Sequence, residues 1–355
     1  MSNIIDLRSD TVTLPSNEMR EAIANAKLGD DVFCEDPTIN DLEAKAAKIM
    51  GKESGLLVPS GTMGNLDSIL VHCQRGTEII LGDKAHTFIY ESGGISAFGG
   101  IHSRQLHNQP DGTINARDIK SAIRMDNVHF PKTSAITLEN THNLCNGSPL
   151  SPEYIGHVAQ IAHNNDMKLH IDGARIFNAA VALNVNVKNL VTNVDSVTFC
   201  LSKGLASPVG SIVCGNEEFI YHARRIRKAL GGGMRQAGII AAAGIISLDK
   251  MVDQIQEDHK NAKRLAEGIS NIEGLSIDKG NIKSNILYFN IDKDRGRNED
   301  LAQQTKDLAL YPFEIVLDNI HFFETRPNTF RLVTHYGISD DDIEKTLMML
   351  KDICK

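Results

Sequence analysis

Residues 197–215 read VTFCLSKGLASPVGSIVCG. An apolar run from Val197 to Leu201 stops at Ser202 and Lys203, and a second run, Val209 to Cys214, follows after a short turn. Both are short and rich in β-branched residues, as buried strands are. The lysine between them is informative only in context, because a strand-end lysine commonly reaches solvent on its flexible stem. The same kind of run recurs upstream as GLLV (55–58), TEIIL (77–81), SAITL (134–138), KLHID (168–172) and DSVTFCL (195–201). Helical stretches lie between them: TMGNLDSILVHC (62–73), INARDIKSAIR (114–124) and PEYIGHVAQIAHNN (152–165), the last with Ser151 as cap and Pro152 in its first turn. This alternation predicts an α/β fold with a mostly parallel central sheet covered by helices on both faces.

After residue 250 the regime changes. A helical pattern from about Asp249 to Ile269 leads into NILYFNI (285–291), a helix near 298–310, TFRLV (329–333) and a final helix from Ser339. The expected organisation is a large α/β domain over 1–250 and a smaller α+β C-terminal domain over 251–355. At 355 residues the chain is long enough for two cores.

A net charge of −8 argues against a general affinity for nucleic-acid phosphates. The apolar run AGIIAAAGII (237–246) is too short to span a bilayer and reads as a buried helix. The start, MSNIIDLRSD, lacks the pattern of a secretory signal. The six cysteines show no CxxC pair and read as reduced packing residues. These features lead us to expect a cytoplasmic protein with neither membrane nor nucleic-acid partners. No histidine pair has metal-site spacing, so no metal is expected.

In doubly wound sheets, ligands bind beyond the carboxyl ends of the strands. Three groups fall on such ends: Asp172 in LHIDGAR, Lys203 in TFCLSK, and the Ser60–Gly61–Thr62 turn that opens a helix. The turn is either a plain N-cap or a phosphate cradle. Taken together, an amine, a carboxylate and an anion-binding helix start match the needs of pyridoxal 5′-phosphate. The lysine would bind its aldehyde, the aspartate would pair with the ring nitrogen, and the helix N-terminus would hold the phosphate.

Ordered stretches along nearly the whole chain then carry a family likeness: DLRSDTVTLP (6–15), GDDVFCEDPT (29–38), SGTMGN (60–65), ENTHN (139–143), HIDGARIFNAA (170–180), FCLSKGLASPVGS (199–211), LGGGMRQAG (230–238) and RLVTH (331–335). In these the sequence resembles the low-specificity L-threonine aldolases, pyridoxal-phosphate enzymes of the aspartate-aminotransferase-like fold (fold type I). The resemblance implies that Lys203 binds the cofactor, that Asp172 is the ring-nitrogen partner, and that Gly61 and Thr62 hold the phosphate. It implies that His86 lies on the ring face and that Ser9, Arg175 and Arg331 hold the substrate carboxylate. His129 would sit near the substrate hydroxyl. Lys228 and Arg235 would reach the phosphate from a neighbouring subunit, in a dimer that shares its sites and is commonly doubled to a tetramer. Two departures stand out. Phe33–Cys34 replaces the family's usual Tyr-Gly, and the loop after His142, NLCNGSPLS, lacks its usual glycine pair.

The implied reaction is retro-aldol cleavage of L-threonine, L-allo-threonine or a related β-hydroxy-α-amino acid to glycine and an aldehyde. His86 would be the base, directly or through water, with His129 assisting. The rival readings are another reaction on the same scaffold (β-elimination, racemisation or transamination) and a catalytically silent cofactor-binding protein. A nicotinamide dehydrogenase is weaker, since no GxGxxG follows an early strand.

Overall fold

The computed structural model of the chain describes residues 4–291 and 313–354. The helix expected near 298–310 lies outside the described residues. Strands are numbered along the chain, beginning with β1 (Ile5–Asp6). The large sheet holds β2 (Ser54–Val58), β3 (Glu78–Gly82), β4 (His102–Leu106), β5 (Thr133–Glu139), β6 (Lys168–Asp172), β7 (Ser196–Cys200) and β8 (Ser211–Gly215). Their order is β2-β8-β7-β6-β5-β3-β4, and β8 alone runs against the rest. The reason is connection length: the turn from Cys200 to Ser211 is too short for a crossover helix, so the chain returns antiparallel.

Register brings chosen residues to one edge. Glu139 of β5 lies opposite Asp172 of β6, and Asp172 opposite Thr198 of β7. The carboxyl ends of β3, β5, β6 and β7 therefore open on one place. Helix Gly61–His72 seats closely over the sheet because two of its residues lack side chains. A Cβ at Gly64 would stand 2.6 Å from Thr198 Cγ2, and one at Gly61 would stand 2.9 Å from Cys200 Sγ.

The apolar helix Gly238–Ile246 packs against helices Asn17–Ala24 and Pro37–Met50, as its all-round hydrophobicity predicts. It runs through a π-turn (Ser247–Met251) into helix Val252–Ile269. In that turn, buried Ser247 donates to the Leu205 carbonyl at 2.7 Å and bonds Ser207 Oγ at 2.7 Å, which anchors the loop carrying Lys203.

The second sheet contains β9 (Leu275–Ser276), β10 (Ile286–Ile291), β11 (Phe313–Leu317), β12 (Ile320–Arg326) and β13 (Thr329–Val333), over a core in which Phe289, Phe322 and Phe330 meet. It also takes β1 from the start of the chain, through Ile5↔Ile320 and Asp6↔His321. The final helix, Asp340–Ile353, begins at Ser339 with a reciprocal Ser339–Asp342 capping box. All six cysteines are free, four of them buried.

Two local features cost stability. Cys34 closes a short 3₁₀ turn at φ 59°, ψ 30° and is exposed. This left-handed conformation is unfavourable for a residue with a Cβ by about 1 kcal/mol. Asp67, buried on helix Gly61–His72, has both carboxylate oxygens without a hydrogen-bond partner among the described residues. Burial pushes its pKa up to about 8 against the opposing charge of Arg227.

Cys34→Gly is therefore expected to stabilise the protein by about 1 kcal/mol in chemical denaturation, with no gain overturning the strain argument. For Asp67 the folded pKa lies above the unfolded one, so its contribution favours folding at low pH and is lost as pH rises from about 4 towards 8. Asp67→Asn should remove that slope and raise stability at pH 8 by on the order of 3 kcal/mol, read as a higher Tm at pH 8 and a smaller difference at pH 4.

Candidate active site

A cleft of about 670 Å³ opens at the carboxyl ends of the large sheet and is closed opposite by β10, β12 and β13. Ser9, His86, Asp172, Arg175, Lys203 and Arg331, six of the residues singled out in the sequence, line it together. Three of them arrive because a strand stops there. His86 opens a short helix after β3, Asp172 is the last residue of β6, and Lys203 follows β7. Thr13 Oγ1 donates to the Lys203 carbonyl at 3.0 Å, fixing that backbone from the N-terminal segment.

Four ionisable groups crowd one corner. Ligand atoms of His86, Glu91 and Asp172 all lie within 4.8 Å of one another, and Glu139 adjoins Asp172 across the β5–β6 register. Glu139 accepts from the His86 amide at 2.7 Å and the Asn143 amide at 2.8 Å, which pins two cleft segments. Glu91, almost fully buried, accepts from His86 Nδ1 at 2.9 Å and Asn65 Nδ2 at 2.8 Å. Among the described residues the hydrogen bond to the Asp172 carboxylate comes from the Ala174 amide at 3.2 Å, so most of its acceptor capacity faces the cleft. Burial first, then the Glu139 charge, raise the Asp172 pKa, while His86 and Lys203 oppose this. For His86, burial works to lower the pKa, but the Glu91 hydrogen bond and the Asp172, Glu91 and Glu139 charges prevail and raise it.

The opposite wall is cationic. Arg175, buried, forms a two-pronged pair with buried Asp10, Nε and Nη2 each 2.6 Å from a carboxylate oxygen. Burial disfavours the Asp10 charge, yet the Arg175 guanidinium, with Lys203 and Arg331 further off, holds its carboxyl far below the usual range. Asn143 Oδ1 then links the two arginines, accepting from Arg331 Nη2 at 2.9 Å and Arg175 Nη1 at 3.5 Å. Arg331 Nε is buried and has no partner among the described residues, a donor left over at the cleft wall. Ser9 caps the 3₁₀ turn Asp10–Val12 and stands beside this pair. Such an arrangement suits a bound carboxylate.

At helix Gly61–His72, Ser60 Oγ accepts from the Met63 amide at 3.2 Å, so Ser60 is the N-cap. The first-turn amides of Gly61 and Thr62 have no intrahelical acceptor. They lie at the end of β7, against Cys200, where Ser211 Oγ is also buried and, among the described residues, unpartnered. An amine, a buried carboxylate with spare acceptors, a helix start stripped of its Cβ and an orphaned hydroxyl fit pyridoxal phosphate.

Three expected residues stand apart from their own chain's cleft. His129 is exposed on the loop after helix Ala116–Ala122, its amide bonded to Asn127 Oδ1. Arg235 is exposed and pairs with Asp30 at 3.0 Å. Lys228, near the end of helix Glu217–Ala229, packs by the Gly231–Gly233 turn. Phe33 is likewise turned outward, 69% exposed. Conversely, Asp10, Glu91, Glu139 and Asn143 carry much of the geometry and were not singled out. Asp10 and the ENTHN residues lie inside the stretches that carry the family likeness, and Glu91 stands five residues after His86 in KAHTFIYESGG (84–94).

Comparison with known proteins agrees with this geometry. The beta-eliminating lyase family model matches residues 6–292. A probable low-specificity L-threonine aldolase of Arabidopsis thaliana is 46% identical over 353 residues, 98% of this chain and 97% of that protein. The low specificity L-threonine aldolase of Escherichia coli (strain K12) is 39% identical over 340 residues, 96% of each chain. A threonine aldolase structure from Leishmania major shares the fold, with a TM-score of 0.79 at 18% identity over 99% of this chain and 100% of that one. Sequence, architecture and cleft thus converge, and the chain belongs to the low-specificity L-threonine aldolases of the beta-eliminating lyase family.

Proposed function

We propose that this protein is a pyridoxal 5′-phosphate-dependent carbon–carbon lyase that cleaves L-threonine and L-allo-threonine to glycine and acetaldehyde. The observation that carries the reading is one cleft with Lys203 and Asp172 on one side and the Arg175–Asn143–Arg331 cluster on the other. When bound, the cofactor supplies a protonated pyridine ring that draws the electron pair of the breaking Cα–Cβ bond.

The protein's own groups do the rest. Lys203 offers the amine for the cofactor aldehyde, Asp172 keeps a proton on the ring nitrogen, and the Gly61 and Thr62 amides receive the phosphate. Arg331, through its spare Nε, fixes the substrate carboxylate with Arg175 and Ser9, and so sets which Cα bond stands across the ring. His86 takes the β-hydroxyl proton as the aldehyde leaves. Because its pKa is raised, kcat/KM should fall with decreasing pH through a value above the ordinary histidine range.

The reading extends to quaternary structure. Lys228, Arg235 and His129 serve a site to which a second copy contributes, in a dimer that shares its sites and doubles to a tetramer. Exposed apolar groups support association: Phe33, Phe98 at 66% exposed and Val128 at 98%. Among the described residues no helix is long and apolar enough to cross a membrane. We place the enzyme in the cytoplasm.

Purified protein given pyridoxal phosphate should turn yellow, release glycine and acetaldehyde from either threonine isomer, and after borohydride carry the cofactor on the peptide containing Lys203. Lys203→Ala should lose all three properties; label on another peptide, or cleavage surviving in that variant, would overturn the assignment. Asp10→Asn strips buried Arg175 of half its pair, so a loss of about 3 kcal/mol in stability and a raised KM for threonine are expected by denaturation and steady-state kinetics.

A further inference from the structure

The line of buried polar groups behind His86 has a fixed direction that follows from hydrogen-bond chemistry. Glu91 Oε1 receives both His86 Nδ1, at 2.9 Å, and Asn65 Nδ2, at 2.8 Å. A carboxylate only accepts, so the Asn65 amide nitrogen must face it and Asn65 Oδ1 must face away. That oxygen meets His170 Nε2 at 3.2 Å, which makes His170 the Nε2–H tautomer. His170 Nδ1 is then an acceptor and takes the Ser196 hydroxyl at 2.8 Å. Ser196 Oγ, having donated, accepts from His72 Nε2 at 2.7 Å. Burial holds both histidines neutral, pulling His72 down to about 4 and His170, with His72 adding to the effect, to about 3. Every donor from His72 onward therefore aims at Glu91. Asn65 cannot relay a proton, so the line is a clamp and not a conduit.

From this the geometry points to Glu91 as the positioning residue of the reaction: held by the Asn65–His170–Ser196–His72 line, it binds the proton on His86 Nδ1 and leaves Nε2 as the only basic atom His86 offers the cleft. The arrangement follows the logic of an acid–histidine pair, in which a buried carboxylate selects the working tautomer. The other groups around His86 do not choose between its nitrogens in this way. Glu139 is occupied by two backbone amides, Asp172 faces the ring-nitrogen position, Lys84 and Lys203 are cations that line the cleft, and the Tyr90 ring lies tilted at 5.5 Å.

The inference deepens the role given to His86 above, and its test separates the two. Neutron diffraction from crystals grown at pH 8 and above, with and without pyridoxal phosphate, should show deuterium on Nδ1 of His86 and on Nε2 of His170 and His72. Deuterium on Nε2 alone of His86 would overturn the proposal, whatever the enzyme does to threonine. In solution, Glu91→Gln keeps the shape and removes the charge. It should lower kcat about tenfold or more and move the acid limb of kcat/KM down by about one pH unit, with Tm and cofactor absorbance retained. An unshifted limb with unchanged kcat would equally sink it. Should the variant fail to fold, the diffraction result on the unaltered protein decides. Should the protein not cleave threonine, the reading of the reaction fails while the proton positions still judge the clamp.

Discussion

Like charges crowded into a dry corner are the constraint on which this molecule turns. Glu91, Glu139 and Asp172 lie together at the carboxyl edge of the sheet, where burial raises the pKa of Glu91 and of Asp172 and an unpartnered carboxylate is costly. The fold resolves the conflict by giving each carboxylate its own donors. Glu139 takes two backbone amides, Glu91 takes an asparagine and a histidine, and Asp172 keeps its capacity for the cleft. The cationic wall mirrors this. Asp10 absorbs most of Arg175, Asn143 bridges to Arg331, and one guanidinium N–H is left to spare. Specific binding capacity is what remains once the internal demands are met.

Much of this was legible in the chain. Strands buried on both faces read as continuous apolar runs, which is why β2, β3, β5, β6, β7 and β8 stood out. By contrast, β4 is HSRQL, an edge strand with no residue fully buried, and it carries no such run. In β12, Ile320 and Phe322 alternate inward, but the next inward position is Glu324, whose burial no hydrophobic pattern announces. The pairing of β1 with β12 joins segments more than three hundred residues apart, beyond any local signal.

The site divides along the same line. Lys203, Asp172 and the Gly61 turn were readable because chemistry-bearing residues at strand ends are conspicuous against an apolar background. Family likeness added His86, Arg175, Ser9 and Arg331, all of which line the cleft. Glu91, Glu139 and Asp10 escaped because a carboxylate at a strand end, in a turn or in a loop ordinarily means solvent, and only folding reveals that these three are enclosed. His129, Lys228 and Arg235 lie outside the cleft of their own chain.

The attachment of β1 to β12 bears on how the protein comes into being. Asp10, Ser9 and Thr13 precede the α/β half in sequence, yet β1, just before them, is laid against a strand more than three hundred residues further along. The large sheet is built from its own part of the chain, but the cleft wall that carries Arg331 exists only once β12 and β13 are in place, so completing the cleft rests on contacts between segments far apart in sequence, whose loop closure is entropically costly.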